Sequence, residues 1–243
     1  MMGAENTILV LGDHQTTLST LAERCRRLGY RAVRATTPDD AIRLSEERGF
    51  RFGAALLRPD WTVRDIASAL EELRTRCRSP HMAAIATGTA PDRRGRERMR
   101  RCGVALALWE PIGDHALRFQ LNRAMSTTGP DLLRGDERTP TGWSARILSR
   151  GRSKSAAVYS MSQDGAFLVT QRPSQRGARI AVQIELPEEV LSLDAEVVYT
   201  NVPGNLQRRR LPDGMAVRFL DLDAQDQVRL RRSLQDSAAR FRV

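Results

Sequence analysis

The sequence predicts an α/β half followed by an all-β half: a doubly wound five-stranded parallel sheet, then a six-stranded antiparallel β-barrel with a C-terminal helix. Three observations predict this. Up to about residue 125, short apolar runs alternate with longer amphipathic stretches, as in a parallel sheet covered on both faces. Beyond about residue 140, apolar and polar residues alternate with a period of two, and turn signals recur. Between the two lies "STTGPDLLRGDERTP" (Ser126 to Pro140), rich in small, turn-forming and charged residues. The expected division is a domain over 1–125, a linker over 126–140, and a barrel with its closing helix over 141–243.

In the first half, "TILVLG" (Thr7 to Gly12) reads as a buried strand, and "TTLSTLAERCRRLG" (Thr16 to Gly29) as a helix stopped by Gly29. "YRAVRAT" is a second strand. "TPDDAIRLSEERG" (Thr37 to Gly49) is a helix with a threonine cap, Pro38 at its first position and a terminal glycine. "FGAALLRP" (Phe52 to Pro59), "HMAAIATG" (His81 to Gly88) and "VALALWEP" (Val104 to Pro111) are three further strands separated by helical stretches.

In the second half, "GWSARILSR", "SAAVYSMS", "GAFLVTQ", "ARIAVQIEL", "DAEVVYTNV" and "GMAVRFLDL" read as short alternating strands. They are divided by turn signals such as "GRSK", "SQDG" and "PSQRG". The tail "DAQDQVRLRRSLQDSAARF" (Asp223 to Phe241) carries Val228, Leu230 and Leu234 on a helical repeat, which suits a helix packed on the barrel or on another chain.

Composition narrows the function classes. No apolar run reaches the length of a membrane span, and "MMGAENTILVLG" lacks the basic region and cleavage site of a signal peptide, so a cytoplasmic protein is expected. Cys25, Cys77 and Cys102 are far apart and form no Cys-x-x-Cys pair, so neither a zinc site nor a disulfide framework is readable. His14, His81 and His115 are scattered, with no nucleophile–base pair and no phosphate-cradling glycine loop. No enzyme chemistry, metal or cofactor is expected. The net charge of +10 is almost all arginine, Lys154 being the one lysine. "RRGRERMRR" (Arg93 to Arg101) and "QRRRL" (Gln207 to Leu211) are basic patches, but with few aromatics they read first as solvated faces and only second as a nucleic-acid surface.

The βα series over Asn6 to Met125 resembles the receiver domain of bacterial response regulators. That resemblance implies a site at the C-terminal edge of the strands: two acids for Mg²⁺ after the first strand, a phosphorylated aspartate ending the third, a lysine ending the fifth. Here "GDH" leaves Gly12 in one acidic position and only Asp13 in the other. "LLRPD" puts Arg58 in the aspartate position, with Asp60 two residues on, and "LWEP" puts Glu110 in the lysine position. Thr87 keeps the hydroxyl of the fourth strand, and Ala107 stands at the aromatic switch position. An arginine cannot accept a phosphoryl group. The resemblance therefore implies a pseudo-receiver, and the reciprocal exchange suggests an Arg58–Glu110 salt bridge across the sheet edge.

The barrel over Leu133 to Leu234 resembles a PilZ domain, the bacterial module that binds cyclic di-GMP. The family uses an Arg-x-x-x-Arg before the first strand and an Asp/Asn-x-Ser-x-x-Gly at a strand turn. Arginine forks grip phosphate oxygens and guanine edges, and the acid or amide bonds a guanine edge. "RGDER" supplies Arg134 and Arg138; the other pair with this spacing, Arg146 and Arg150, lies within the first strand. In "SMSQDG", Ser162 and Gly165 match, the glycine being expected to permit the turn, and Ser160 replaces the acid or amide.

What the resemblances imply is a regulatory protein acting in motility, surface polysaccharide or related envelope signalling through contacts with an unidentified protein partner. Two mechanisms stand. In one, cyclic di-GMP binds Arg134, Arg138, Ser160, Ser162 and Gly165, weakened by the loss at Ser160. In the other, both halves are nucleotide-independent interaction surfaces. Monomer and homodimer both remain open.

Overall fold

The computed structural model describes residues 7–12, 17–60, 66–126, 138–149, 151–204 and 211–243. The chain forms two units, Met1–Leu133 with Arg240–Val243, and Arg134–Ala239.

The first unit runs β1 (Thr7–Leu11), α1 (Thr17–Arg27), β2 (Arg31–Ala35), α2 (Pro38–Arg48), β3 (Phe52–Leu57), α3 (Ile66–Arg76), β4 (Ala83–Gly88), α4 (Arg93–Arg101), β5 (Leu106–Trp109) and α5 (Asp114–Met125). All pairings are parallel and the strand order is β2-β1-β3-β4-β5, the receiver-like doubly wound topology. β1 and β3 are buried at every residue, in keeping with sequences that are apolar apart from Thr7 at the start of β1. One apolar layer joins the sheet to α2, α3 and α4 through Ile42, Leu70, Leu73 and Met99. The other joins it to α1 and α5 through Leu21, Cys25, Leu117 and Leu121.

The local signals of α2 act as the sequence suggests. The Asp40 N–H donates to Thr37 Oγ1, Pro38 opens the helix, and Gly49 closes it in the left-handed region. After α3 the same left-handed position falls on Arg78 (φ 49°), an uncommon choice for a residue with a Cβ. The sheet does not end with β5. Residues Arg240–Val243 return to its free edge: Leu106 and Arg242 form an antiparallel bridge, the Ala107 N–H donates to the Phe241 carbonyl (3.1 Å) and the Val243 N–H to the Ala105 carbonyl (3.2 Å).

The second unit contains β6 (Thr139–Pro140), β7 (Ser144–Ser149), β8 (Arg152–Met161), β9 (Gly165–Val169), β10 (Arg179–Glu185), β11 (Val190–Asn201), β12 (Gly214–Leu220) and α6 (Ala224–Ala239). Six strands close a ring in the order β7-β10-β11-β12-β9-β8, the β8–β9 pairing completing it, with β6 added alongside β8. Alternation fills the interior with Ile147, Val158, Val182, Leu193 and Val217, and Leu230 and Leu234 of α6 pack on this core. Val228 does not join them; it is 64% exposed, because the face carrying Leu230 and Leu234 excludes it. The "GRSK" segment is a tighter turn than expected, for β8 already begins at Arg152.

Candidate functional site

At the sheet edge of the first unit the expected Arg58–Glu110 salt bridge is not formed. Arg58 lies in a two-point pair with Asp60 instead, Nε to Oδ1 at 2.8 Å and Nη2 to Oδ2 at 2.7 Å. A carboxylate two residues away in the same loop meets the guanidinium fork with little chain to order, whereas Glu110 would have to reach across strands. Glu110 accepts from Thr89 Oγ1 (3.3 Å). The fork donated by Arg58 holds the Asp60 carboxyl below the usual carboxylate range, and Asp60 in turn raises Arg58. Thr87 is buried, its hydroxyl donating to the Leu57 carbonyl (3.2 Å) at the end of β3. Asp13 lies outside the described residues. The edge thus shows a positive side chain, neutralised in its own loop, in the position of the phosphorylated aspartate.

In the second unit, β8 serves two partners along one of its edges. Its first part pairs with β7, and its last two residues with β6, Thr139 opposite Met161 and Pro140 opposite Ser160. The Thr141 hydroxyl (3.1 Å) and Gly142 N–H (2.9 Å) then both donate to the Val158 carbonyl. Continued by one residue, this antiparallel register sets Arg138 opposite Ser162. The segment read as linker is therefore strand at Thr139–Pro140, so that Arg138 directly precedes a residue paired with the end of β8. Proline is tolerated there because β6 lies at a sheet edge. Arg134 lies outside the described residues, as does Arg150.

The turn is closed by the Ser162 N–H donating to the Gly165 carbonyl (2.9 Å), and Ser162 Oγ approaches the same oxygen at 3.4 Å. Gly165 does not serve the turn as expected. It is the first residue of β9, and a Cβ there would collide with the Val217 carbonyl oxygen of β12. Its role is close strand approach, and that role stands whether or not a ligand binds. A β-bulge between Val158 and Ser160 interrupts the ladder, so that Ser160 pairs with Phe167 while Val158 and Met161 keep facing the core. Tyr159 meets the Phe167 ring edge-on at 6.0 Å, and Phe167 meets Tyr199 at 6.2 Å. The acceptor position thus lies beside an aromatic row, and Ser160 and Ser162 are each only 4% exposed. From α6, Ser237 Oγ donates to the Pro140 carbonyl (3.1 Å) and Arg231 Nη2 to Gln163 Oε1 (3.4 Å), so the helix touches both β6 and the turn.

The sequence reading missed β6, the bulge at Tyr159 and the two α6 contacts. Pro140 ending a charged stretch was a weak signal for an edge strand; the others had none. The basic run Arg93–Arg101 is α4, and much of it is engaged: Arg93 pairs with Glu97, Arg96 lies over the Trp109 ring at 5.6 Å, and Arg100 donates to the Val243 carbonyl. Gln207 to Arg210 lie outside the described residues. Among the described residues no group of three or more His, Cys, Asp or Glu could hold a metal ion, and no helix is long and apolar enough to cross a membrane.

The second unit is a closed six-stranded barrel with a helix, and residues 132–236 match the family model of the PilZ domain. No curated protein matches the chain. Among solved structures, the PilZ domain with cyclic di-GMP of YcgR from Escherichia coli is 18% identical, covering 44% of this chain and 92% of that chain, with a TM-score of 0.36. The Bacillus subtilis inhibitor of motility MotI (DgrA) is 22% identical over 44% of this chain and 50% of that chain, TM-score 0.35. The receiver domain of a sensor histidine kinase from Pseudomonas aeruginosa is 25% identical over 51% of this chain and 99% of that chain, TM-score 0.41.

Proposed function

We propose that this chain is a non-enzymatic regulatory protein whose barrel binds cyclic di-GMP weakly, and whose receiver-like half is not switched by phosphorylation. The observation that supports the reading is the β6–β8 pairing of Thr139 with Met161, with Arg138 one residue before that pair and Ser162 one residue after it. A guanidinium brought by an edge strand to a hydroxyl-bearing turn suits phosphate oxygens and guanine edges. Arg134, four residues earlier, supplies the second fork. Ser160 offers one hydroxyl where the family places a two-point acceptor, and a lost hydrogen bond to a charged group removes roughly 1.5–3 kcal/mol of binding. In the receiver-like half, Arg58 offers no acceptor for a phosphoryl group and its fork is already taken by Asp60. The output is contact with a protein partner in the cytoplasm, in motility or surface polysaccharide control.

The burial of Ser160 and Ser162 favours a second reading, in which both units are fixed interaction surfaces and no nucleotide binds. Calorimetric titration with cyclic di-GMP separates the two. Binding heat that falls at least tenfold in affinity in Arg138→Ala supports the first. An absence of heat with the folded protein leaves only the second. Acetyl phosphate with Mg²⁺ is expected to leave the intact mass unchanged; a stable phosphoryl adduct in the first unit would contradict the assignment.

A further inference from the structure

β5 ends the parallel sheet, and an uncovered strand edge presents unpaired N–H and C=O groups to any passing strand. Here that edge is met by three residues that lie more than a hundred positions along the chain from β5. The two main-chain bonds from Ala107 to Phe241 and from Val243 to Ala105 are supplemented by side chains that read the incoming segment. Gln120 of α5, fully buried, donates from Nε2 to both the Ala107 carbonyl (2.9 Å) and the Phe241 carbonyl (2.7 Å). Its Oε1, also buried, meets no donor among the described residues. Arg100 of α4 donates to the Val243 carbonyl (3.1 Å). The apolar anchors divide between the two layers: Val243, 5% exposed, belongs to the buried cluster that contains Met99, Val104 and Ala107, and Phe241 packs against the cluster that contains Leu117 and Leu121.

These are the parts of a strand-binding site. Main-chain bonds give affinity, and pockets for particular side chains give selectivity. A buried glutamine that bonds the host strand and the incoming strand at once is a recognition device. Its half-satisfied amide is a burden that a purely apolar edge would avoid. We propose that the β5 edge is a docking site for an extended Phe-x-Val segment, that residues 240–243 occupy it as an exchangeable ligand, and that the same segment of a second copy takes the place in trans. The intervening barrel makes the cis segment a tethered ligand rather than a continuation of the sheet. Its hold depends on effective concentration, in the millimolar range for short tethers and lower for long ones, so a second copy can compete. Exchange of an identical element between copies adds no new kind of contact and joins two chains.

The test uses the chain truncated after Ala239 and a fluorescein-labelled peptide of the sequence Ser237 to Val243, read by anisotropy. The peptide is expected to bind the truncated protein at least tenfold more tightly than the full chain, where the site is filled. Gln120→Leu in the truncated background should weaken the peptide at least fivefold, and a peptide with serine in place of Phe241 should bind no better than a scrambled one. Val243→Asp in the 243-residue chain, which expels the segment without shortening the chain, should also gain peptide binding. A truncated protein that keeps its circular dichroism and thermal transition yet ignores the peptide would overturn the proposal. Loss of folding in both the truncated chain and Val243→Asp would overturn it equally, since the segment would then be a fixed strand.

Discussion

Ser160→Asp puts the family's acceptor back, and its effect can be worked out for both the free and the bound protein. The position is 4% exposed, next to the bulge at Tyr159 and paired with Phe167. In the complex, the introduced carboxylate would accept from a guanine edge, worth about 1.5–3 kcal/mol, or roughly ten- to a hundredfold in affinity. In the free protein the same carboxylate is buried beside an aromatic row, where no hydrogen bond is made by Ser160 Oγ among the described residues, a penalty of about 1–3 kcal/mol in stability. Burial also raises its pKa, so the penalty eases as the pH falls and the group takes up a proton. The variant should therefore bind cyclic di-GMP more tightly in calorimetry while unfolding at lower urea concentration than the parent at pH 8. The loss of stability should shrink toward pH 5. Unchanged affinity alongside the expected loss of stability would show that no nucleotide reaches Ser160. An unchanged urea midpoint would show that the side chain is not enclosed, and the reasoning from burial would fail.

Two further outcomes follow from local geometry. Arg78 holds a left-handed conformation after α3, so Arg78→Gly should raise stability by up to about 1 kcal/mol, read as an upward shift of the thermal midpoint; a drop would mean that the Arg78 side chain contributes more than the strain removes. Burial pushes the Cys25 thiol up to about 12, above the value of about 8.5 for a thiol in water. Because the folded value is the higher one, its stabilising contribution is whole below pH 8 and is lost as the pH rises from there toward 12. Cys25→Ala should accordingly flatten the decline of unfolding free energy between pH 9 and 11; an identical slope in parent and variant would refute the assignment.

The legible parts of the fold were those set by short-range rules repeated along an element. Apolar runs gave β1 and β3, and Thr37, Pro38 and Gly49 marked both ends of α2. The strand alternation of the barrel was readable because one face of each strand fills its interior. What could not be read depends on side-chain reach or on pairing between distant segments. Whether Arg58 meets Asp60 or Glu110 turns on a few ångströms at the sheet edge, and sequence spacing favours neither. β6 is two residues long, too short to show a period, and the segment at the β5 edge meets it with only three. The bulge at Tyr159 leaves the alternation of "YSMS" looking regular, although the ladder skips a residue there. Gly165 was noticed for the right reason, a backbone demand, but the demand comes from β12 and not from the turn.

The return of Arg240–Val243 to the first sheet has a thermodynamic consequence for the barrel. Residues Arg134–Ala239 are an insertion, held at both ends by one folded unit. While that unit stands and the segment stays on β5, an unfolded barrel is a closed loop rather than a free chain. A covalent closure of about 100 residues lowers the entropy of the unfolded state by up to about 4.7 kcal/mol at 25 °C, and the segment can contribute as much of this as its own grip allows. The barrel should therefore melt at a higher temperature inside the whole chain than when cut free, with no additional contact to account for the difference.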